Sequence, residues 1–201
     1  MSINLQKGER ISLFKSNGNR LQEFCVGANW GSIERRGIFG TSKRVSVDLD
    51  LSVGLFNSHN RLVNTIYFGN LNTKGIQHSG DDLTGDIEGN DGLDNEVMSI
   101  NLREVDLEIN QIVFVLNSYR GQDFSDIPFA SIRLYEGSKN SVKSIFSNYN
   151  VASDKQFSGY VSLILGKLYR RNGEWKFSAI GEPTKDRRLQ GLLKTVEELY
   201  L

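Results

Sequence analysis

The chain has 201 residues, and its 24 Lys and Arg balance its 24 Asp and Glu, so the formal net charge is zero. This neutrality excludes the general positive charge that supports non-specific nucleic-acid binding, and we expect no nucleic-acid partner. No apolar run reaches the roughly 18 residues of a membrane span, and the N-terminus lacks a signal-peptide pattern. The single cysteine, Cys25, cannot form an internal disulfide. We expect one cytoplasmic domain over residues 1–201.

Short apolar segments separated by Gly, Asn, Asp and Ser predict an all-β domain. Several segments alternate apolar and polar residues, which is the period of a strand with one buried face. Many short strands in one domain of this size indicate a two-sheet antiparallel β-sandwich. Strands are predicted at 10–14, 21–29, 45–56, 62–68, 96–100, 111–117, 131–136, 142–148, 159–170 and 175–180.

The stretch 31–44 contains glycine and is basic, and it is predicted to be an exposed loop. Its cations are Arg35, Arg36, Lys43 and Arg44. A solvated loop is the simpler interpretation. An acidic partner, either a protein or a lipid head group, is the alternative, and it leaves peripheral membrane association open.

Local signals also predict one turn and two helical segments. Asn172-Gly173 lies between two strand-like runs and favours a type I′ hairpin turn. A short helical turn is predicted at 126–130, although Pro128 limits it. The stretch 185–201 has apolar residues at helical spacing and is predicted to be an amphipathic helix. It would follow Pro183, with Thr184 as its N-cap, and would pack on the sandwich or extend from it.

The most acidic part of the chain is residues 78–96, named here the acidic segment, which contains no lysine or arginine. Its carboxylates repel one another, and a multivalent hard cation held by oxygen ligands would offset that repulsion. A solvated surface run without an ion is the alternative. Softer metals would require more His or Cys than the lone His78. The carboxylates are Asp81, Asp82, Asp86, Glu88, Asp91, Asp94 and Glu96.

The acidic segment does not match an EF-hand. If the motif began at Asp86, its sixth position would be Asp91 instead of glycine, and its twelfth would be Val97 instead of glutamate. A second structural element must therefore complete a coordination shell. The alternating run 45–53 places Asp48 and Asp50 on one face of a strand, which makes them the predicted partners.

The same residues carry a resemblance to the TerD family of bacterial tellurium-resistance and stress-response proteins. The acidic segment resembles the family pattern HSGDNLTGEGEGDDE, with Asp82 where the family usually has Asn. The block at 116–124 most resembles the TerZ branch. The matching blocks, in order, are LQKGERISL (5–13), VGANW (26–30), VDLDLS (47–52), HSGDDLTG (78–85), DNE (94–96), LNSYRGQDF (116–124), FASIR (129–133) and LYRRNGEWKF (168–177).

This resemblance implies a calcium-binding β-sandwich that responds to tellurite, oxidative or phage stress and has no known catalytic chemistry. It also implies that the ion is calcium and that two neighbouring ions are bound. The implied function is a calcium-dependent sensor or protein-interaction module with protein partners in a stress-response complex. The predicted metal ligands are Asp48, Asp50, Asn70, Asp81, Asp82, Asp86, Asp91, Asp94 and Glu96.

Two other functions remain open from the sequence. The first is a hydrolase that uses calcium as a Lewis acid, for which His78 is the only clear candidate base. The second is a structural metal site in the subunit of an oligomer. No nucleophile, base and orienting group occur at a recognisable spacing, so we expect no enzymatic activity.

Overall fold

The computed structural model describes residues 3–4, 9–15, 18–36, 41–150 and 157–201. Within these ranges the chain forms fifteen strands, one 3-10 helix at Phe124–Asp126 and one α-helix, α1, at Leu189–Leu199. The strands are β1 (Ile3–Asn4), β2 (Arg10–Ser12), β3 (Glu23–Trp30), β4 (Ile33–Arg36), β5 (Ser42–Val45), β6 (Leu49–Asn57), β7 (Leu62–Ile66), β8 (Asn72–Thr73), β9 (Ile76–His78), β10 (Glu96–Asn101), β11 (Ile109–Ser118), β12 (Ala130–Ser138), β13 (Ser141–Asn150), β14 (Ser162–Arg171) and β15 (Glu174–Thr184).

Two large sheets form the sandwich, and this confirms the predicted fold class. The seven-stranded sheet has the order β1-β13-β12-β3-β10-β9-β8, and the six-stranded sheet has the order β2-β15-β14-β11-β6-β7. β4 and β5 form a separate two-stranded hairpin. Neighbouring strands are antiparallel except β1 and β13, which run parallel.

The main core lies between the two large sheets. In β6, Leu49, Leu51 and Val53 are buried in this core, as the alternating pattern predicts. Trp30, at the end of β3, is fully buried and donates its indole N–H to the Val47 carbonyl at 2.9 Å. That hydrogen bond fixes the chain immediately before Asp48.

Helix α1 covers the outer face of the six-stranded sheet. Its residues Leu192, Leu193 and Val196 pack against a cluster formed by Phe56, Val113, Val115 and Ile164. Gly54 makes room for the helix, since a Cβ there would lie 2.7 Å from Leu193 Cδ2. Strand β6 is therefore buried on both faces, whereas its alternating sequence predicted one buried and one exposed face.

The predicted start of the C-terminal helix was wrong. Thr184 does not cap a helix, because β15 continues through Pro183 to Thr184, which pairs with Ser162. Helix α1 begins only at Leu189, and its N-cap residue Arg188 makes no side-chain cap hydrogen bond. Sheet pairing therefore extends further than the turn signal at Pro183 indicated.

Three other local predictions have clear outcomes. Asn172 and Gly173 take φ values of 53° and 77°, which confirms the hairpin turn between β14 and β15. The helical turn predicted at 126–130 lies earlier, at Phe124–Asp126, where Asp123 accepts a hydrogen bond from the Ser125 N–H. The basic stretch 31–44 is a hairpin of β4 and β5 instead of a loop, with residues 37–40 outside the described ranges.

Over the described ranges, no helix is both long and apolar enough to cross a membrane.

Candidate metal centre

Three carboxylates from separate parts of the sequence meet at one end of the sandwich. Asp48 immediately precedes β6, Asp50 is the second residue of β6, and Asp81 lies in the acidic segment just after β9. Each offers one oxygen, and these oxygens all lie within 4.8 Å of one another. The Val47 N–H donates to the Thr84 carbonyl at 3.1 Å, which holds the acidic segment against the start of β6. The group could hold a metal ion.

The two strand aspartates are deeply buried, whereas Asp81 is exposed. Asp48 and Asp50 are 3 % and 4 % exposed. Asp50 Oδ2 accepts a hydrogen bond from Asn117 Nδ2 at 2.9 Å, and Asp48 Oδ2 lies 3.3 Å from Arg120 Nε. Asp48 Oδ1 is buried without a hydrogen-bond partner among the described residues. A buried carboxylate oxygen is costly unless a donor or a metal satisfies it, so Asp48 Oδ1 is a candidate ligand atom for a cation.

The electrostatics of the cluster disfavour several ionised carboxylates. Burial raises the pKa of Asp50 to about 8, and the negative charges of Glu96, Asp48 and Asp81 add to this rise. Burial also raises the pKa of Asp48, although the Arg120 charge opposes the effect. Without a cation, Asp50 therefore retains its proton at neutral pH. A multivalent cation would replace that proton and stabilise the ionised carboxylates.

Glu96 lies behind the cluster and links the two large sheets. Its carboxylate accepts hydrogen bonds from the Leu51 N–H at 2.8 Å and from the Asp82 N–H at 3.2 Å. Glu96 is fully buried at the start of β10, and burial raises its pKa, while the hydrogen bond from His78 opposes that rise. These contacts position the acidic segment relative to β6.

His78 supports the same arrangement. Its Nδ1 accepts the Gly80 N–H at 3.0 Å, so the ring proton is assigned to Nε2. Nε2 lies 3.0 Å from the Leu51 carbonyl and 3.4 Å from Glu96 Oε2. His78 thus holds the acidic segment in place through buried hydrogen bonds.

Within the acidic segment, Asp82 stabilises a turn. Its Oδ1 accepts hydrogen bonds from the N–H groups of Thr84 and Gly85, both at 2.9 Å, and from the Thr84 hydroxyl at 3.1 Å. Although burial raises the pKa of Asp82, these bonds and the Asn95 amide hold it below its ordinary value. Asp82 is therefore ionised at neutral pH, and its Oδ1 is already satisfied by donors.

The remaining predicted ligands are held by other contacts. Asp86 accepts from Asn95 Nδ2 at 3.0 Å and from the Asp91 N–H at 3.2 Å, while Asp91 accepts from the Leu93 N–H at 2.8 Å. Asp94 is buried in an ion pair with Arg133, at 2.8 Å from Arg133 Nε. Asn70 donates from Nδ2 to the Thr65 carbonyl at 2.8 Å.

The structure adds two residues that the sequence analysis did not assign to the site. Asn117 pairs with Asp50 across β11 and β6, and its Oδ1 is buried without a hydrogen-bond partner among the described residues. Arg120 supplies the positive charge that lies beside the Asp48 carboxylate. The sequence contains only a weak indication that Asn117 belongs to the site, namely that it is a polar residue at the end of the apolar run 112–116.

The donor set determines the kind of metal that fits. The cluster offers carboxylate oxygens, with the Asn117 amide beside them, and oxygen donors suit hard divalent cations such as Ca²⁺ and Mg²⁺. The fold and the site together define a β-sandwich with a candidate hard-cation site where the acidic segment meets β6.

The chain also matches known proteins over most of its length. The sequence profile of the TerD domain matches residues 1–195. Stress response protein SCP2 of Bacillus subtilis is 38 % identical over 96 % of this chain and 98 % of its own length. Tellurium resistance protein TerZ of Serratia marcescens is 28 % identical, and 94 % of each chain is covered. The chain belongs to the TerD family, as its sequence motifs predicted.

A solved structure shows the same fold. The crystal structure of a homologue of telluride resistance protein (TerD) from Streptomyces coelicolor superposes with a TM-score of 0.63. The match covers 82 % of this chain and 91 % of that one, at 15 % sequence identity. The sandwich architecture is therefore shared despite low identity.

Proposed function

We propose that this protein is a cytoplasmic calcium-binding module that acts as a sensor or protein-interaction unit in a bacterial stress response. One observation carries the calcium part of the proposal: Asp48 and Asp50 are buried beside Asp81, and Asp48 Oδ1 has no hydrogen-bond partner among the described residues. The names of the relatives, which refer to tellurium resistance and stress response, supply the biological setting. Membership of the TerD family supports calcium over magnesium.

The proposal includes two ions. The first would be held by Asp48, Asp50 and Asp81. Support for a second comes from an open pocket of about 470 Å³, whose lining includes Asp82, Asp86, Glu88 and Asp91. The ions would supply positive charge that offsets the repulsion among these carboxylates and orders the acidic segment.

Exposed apolar side chains beside the cluster support a role in partner binding. Tyr119 is 63 % exposed, and its ring packs edge-on against Phe68 at a centroid distance of 5.9 Å. The Tyr119 N–H donates to the Asp48 carbonyl at 2.9 Å, which places these rings next to the first ion site. Leu83, in the acidic segment, is 52 % exposed. Ordering of the segment by calcium would fix this surface for a partner protein.

Calcium titration followed by thermal melting tests the proposal. An ion that binds only the folded state stabilises it by about 2.7 kcal/mol at one hundred times its dissociation constant, so the melting temperature is expected to rise. Asp48→Asn is expected to reduce the rise sharply, because it removes one ligand charge. Asp126→Asn, which changes an exposed aspartate in the 3-10 helix, is the matched control and is expected to retain the full rise. No rise at millimolar calcium would refute the proposal.

The hydrolase alternative has less support from the structure. Its only candidate base, His78, is buried, and both ring nitrogens are within hydrogen-bonding distance of the backbone of Gly80 or Leu51. We therefore propose a binding function without catalysis. A screen of ester and phosphodiester substrates in the presence of calcium is expected to show no turnover. Light scattering with and without calcium tests the third alternative, a structural site in an oligomer.

A further inference from the structure

A second polar pocket lies on the outer face of the six-stranded sheet, near the end of α1. It is open, has a volume of about 430 Å³ and is lined by residues of β2, β11, β14 and β15 together with the turn after β6. It shares no lining residue with the acidic cluster. Its position, on a sheet face that α1 leaves partly uncovered, makes it accessible to a small ligand.

Strand register explains why its cations converge. Arg10 of β2 pairs with Ser178 of β15, which in turn pairs with Lys167 of β14. Residues directly opposite each other in neighbouring strands project from the same face, so these three form a row across three strands. Tyr169 and Arg171 follow Lys167 at two-residue intervals and project from the same face.

No ion pair among the described residues neutralises the positive charges of this row, and Glu174, which lies opposite Arg171 in the strand register, is paired with Arg20 instead. No acidic side chain belongs to the described residues that line the pocket, and Arg10, Lys167 and Arg171 form no ion pair within the part of the chain that the structure describes. Lys167 Nζ donates to Gln111 Oε1 at 2.8 Å and to the Tyr200 carbonyl at 2.6 Å, which leaves one ammonium N–H available. Burial, together with the nearby Arg10 charge, lowers the pKa of Lys167.

A larger pocket on the outer face of the seven-stranded sheet provides a contrast. Three of the four described cations that line it, Lys15, Arg20 and Arg103, are paired with Glu136, Glu174 and Glu23, at 2.5, 2.5 and 2.6 Å. An anion there would have to compete with carboxylates that are already in place. The pocket at Arg10, Lys167 and Arg171 presents its cations without such competition.

We propose that the pocket formed by Arg10, Lys167, Tyr169, Arg171 and Ser178 binds the phosphate group of a small phosphorylated ligand. Arginine presents several N–H donors in a fixed plane that matches phosphate oxygens, and lysine adds a point charge. The hydroxyls of Tyr169 and Ser178 supply neutral donors on the same face. The site is independent of the candidate metal centre and does not rest on the calcium proposal.

Isothermal titration calorimetry without divalent cations tests this proposal, with inorganic pyrophosphate and ATP as separate probes. Both are expected to bind. Equal affinities would indicate recognition of the phosphate group alone, and tighter binding of ATP would indicate a nucleotide ligand. Replacing Arg10 and Arg171 together with glutamine is expected to weaken binding roughly tenfold or more, because each loses charge-assisted hydrogen bonds.

The matched control replaces Arg35 and Arg36 of the β4–β5 hairpin with glutamine, which removes the same charge from another exposed basic surface. This control is expected to keep the parent affinity. The proposal is overturned if neither probe binds at 10 mM. An equal loss of affinity in both double variants also overturns it. Arg171→Gln alone, at an exposed position next to the hairpin turn, repeats the test should the double variant fail to fold.

Discussion

Replacing Asp50 with asparagine is expected to stabilise the calcium-free protein at pH 8, by roughly 3–5 kcal/mol, and to abolish most of its response to calcium. The folded protein raises the pKa of Asp50 from 3.8 to about 8. Asparagine keeps the size of the side chain and can accept the same hydrogen bond from Asn117 Nδ2, but it carries no charge. The variant therefore removes the cost of a buried carboxylate together with a ligand for the cation.

The sign of the pH dependence follows from proton counting. Between about pH 4 and pH 8 the folded calcium-free protein retains a proton on Asp50 that the unfolded chain has lost. The free energy of unfolding therefore falls as pH rises through this window. Burial raises the pKa values of Asp48 and Glu96 as well, and both contribute in the same direction. Bound calcium favours the ionised carboxylates, so it is expected to oppose this loss.

Urea denaturation of the parent and the Asp50→Asn variant from pH 5 to pH 8, with EDTA or with calcium, measures these effects. The parent in EDTA is expected to lose stability as pH rises, and the variant is expected to show a much flatter profile. Asp126→Asn is expected to follow the parent. If the variant is less stable than the parent at pH 8 in EDTA, the buried Asp50 carboxylate does not destabilise the calcium-free protein, which contradicts the prediction.

Replacing Arg133 with methionine is expected to lower the free energy of unfolding by about 3–5 kcal/mol, because it leaves the buried Asp94 carboxylate without its counter-ion. Arg133 Nε donates to both oxygens of Asp94, at 2.8 and 3.1 Å, and one terminal nitrogen donates to the Gly92 carbonyl at 2.9 Å. Burial raises the pKa of Asp94 even with the Arg133 charge beside it. Removal of the Arg133 charge is expected to raise the pKa of Asp94 further.

A double-mutant cycle separates the lost ion pair from lost packing. The variant Asp94→Asn with Arg133→Met is expected to recover much of the stability, since no buried charge then lacks a partner. Asp94→Asn alone also tests the predicted role of Asp94 as a metal ligand. Because Asp94 is already in an ion pair with Arg133, we expect this variant to keep the calcium-dependent rise in melting temperature. Loss of the rise would place Asp94 in the metal site.

The sequence was sufficient to predict the sandwich and the meeting of the acidic segment with Asp48 and Asp50. Alternation at 45–53 identified β6, although the strand begins only at Leu49, so that Asp50 lies in it and Asp48 immediately precedes it. The run of carboxylates identified the partner segment. Asp81 then meets the two strand aspartates as expected from their chemistry. These predictions succeeded because local period and local charge were the deciding signals.

Other features depended on tertiary contacts that no local pattern reports. Asn117 is next to Asp50 only because β11 pairs with β6 in one particular register. Asp94 was grouped with the other acidic residues, but its partner, Arg133, lies on β12, far away in the sequence. The second buried face of β6 likewise depends on α1, which comes from the end of the chain.

The position of the acidic cluster at the junction of the two large sheets has a mechanical consequence. The acidic segment begins on β9 and ends on β10 in one sheet, whereas Asp50 lies at the start of β6 in the other and Asp48 immediately precedes that strand. The distances among the three carboxylates therefore depend on the alignment of one layer over the other. If the proposed calcium ion binds there, any ligand or partner that shifts this alignment is expected to change the affinity for calcium, and by reciprocity calcium would change the affinity for that partner by the same factor.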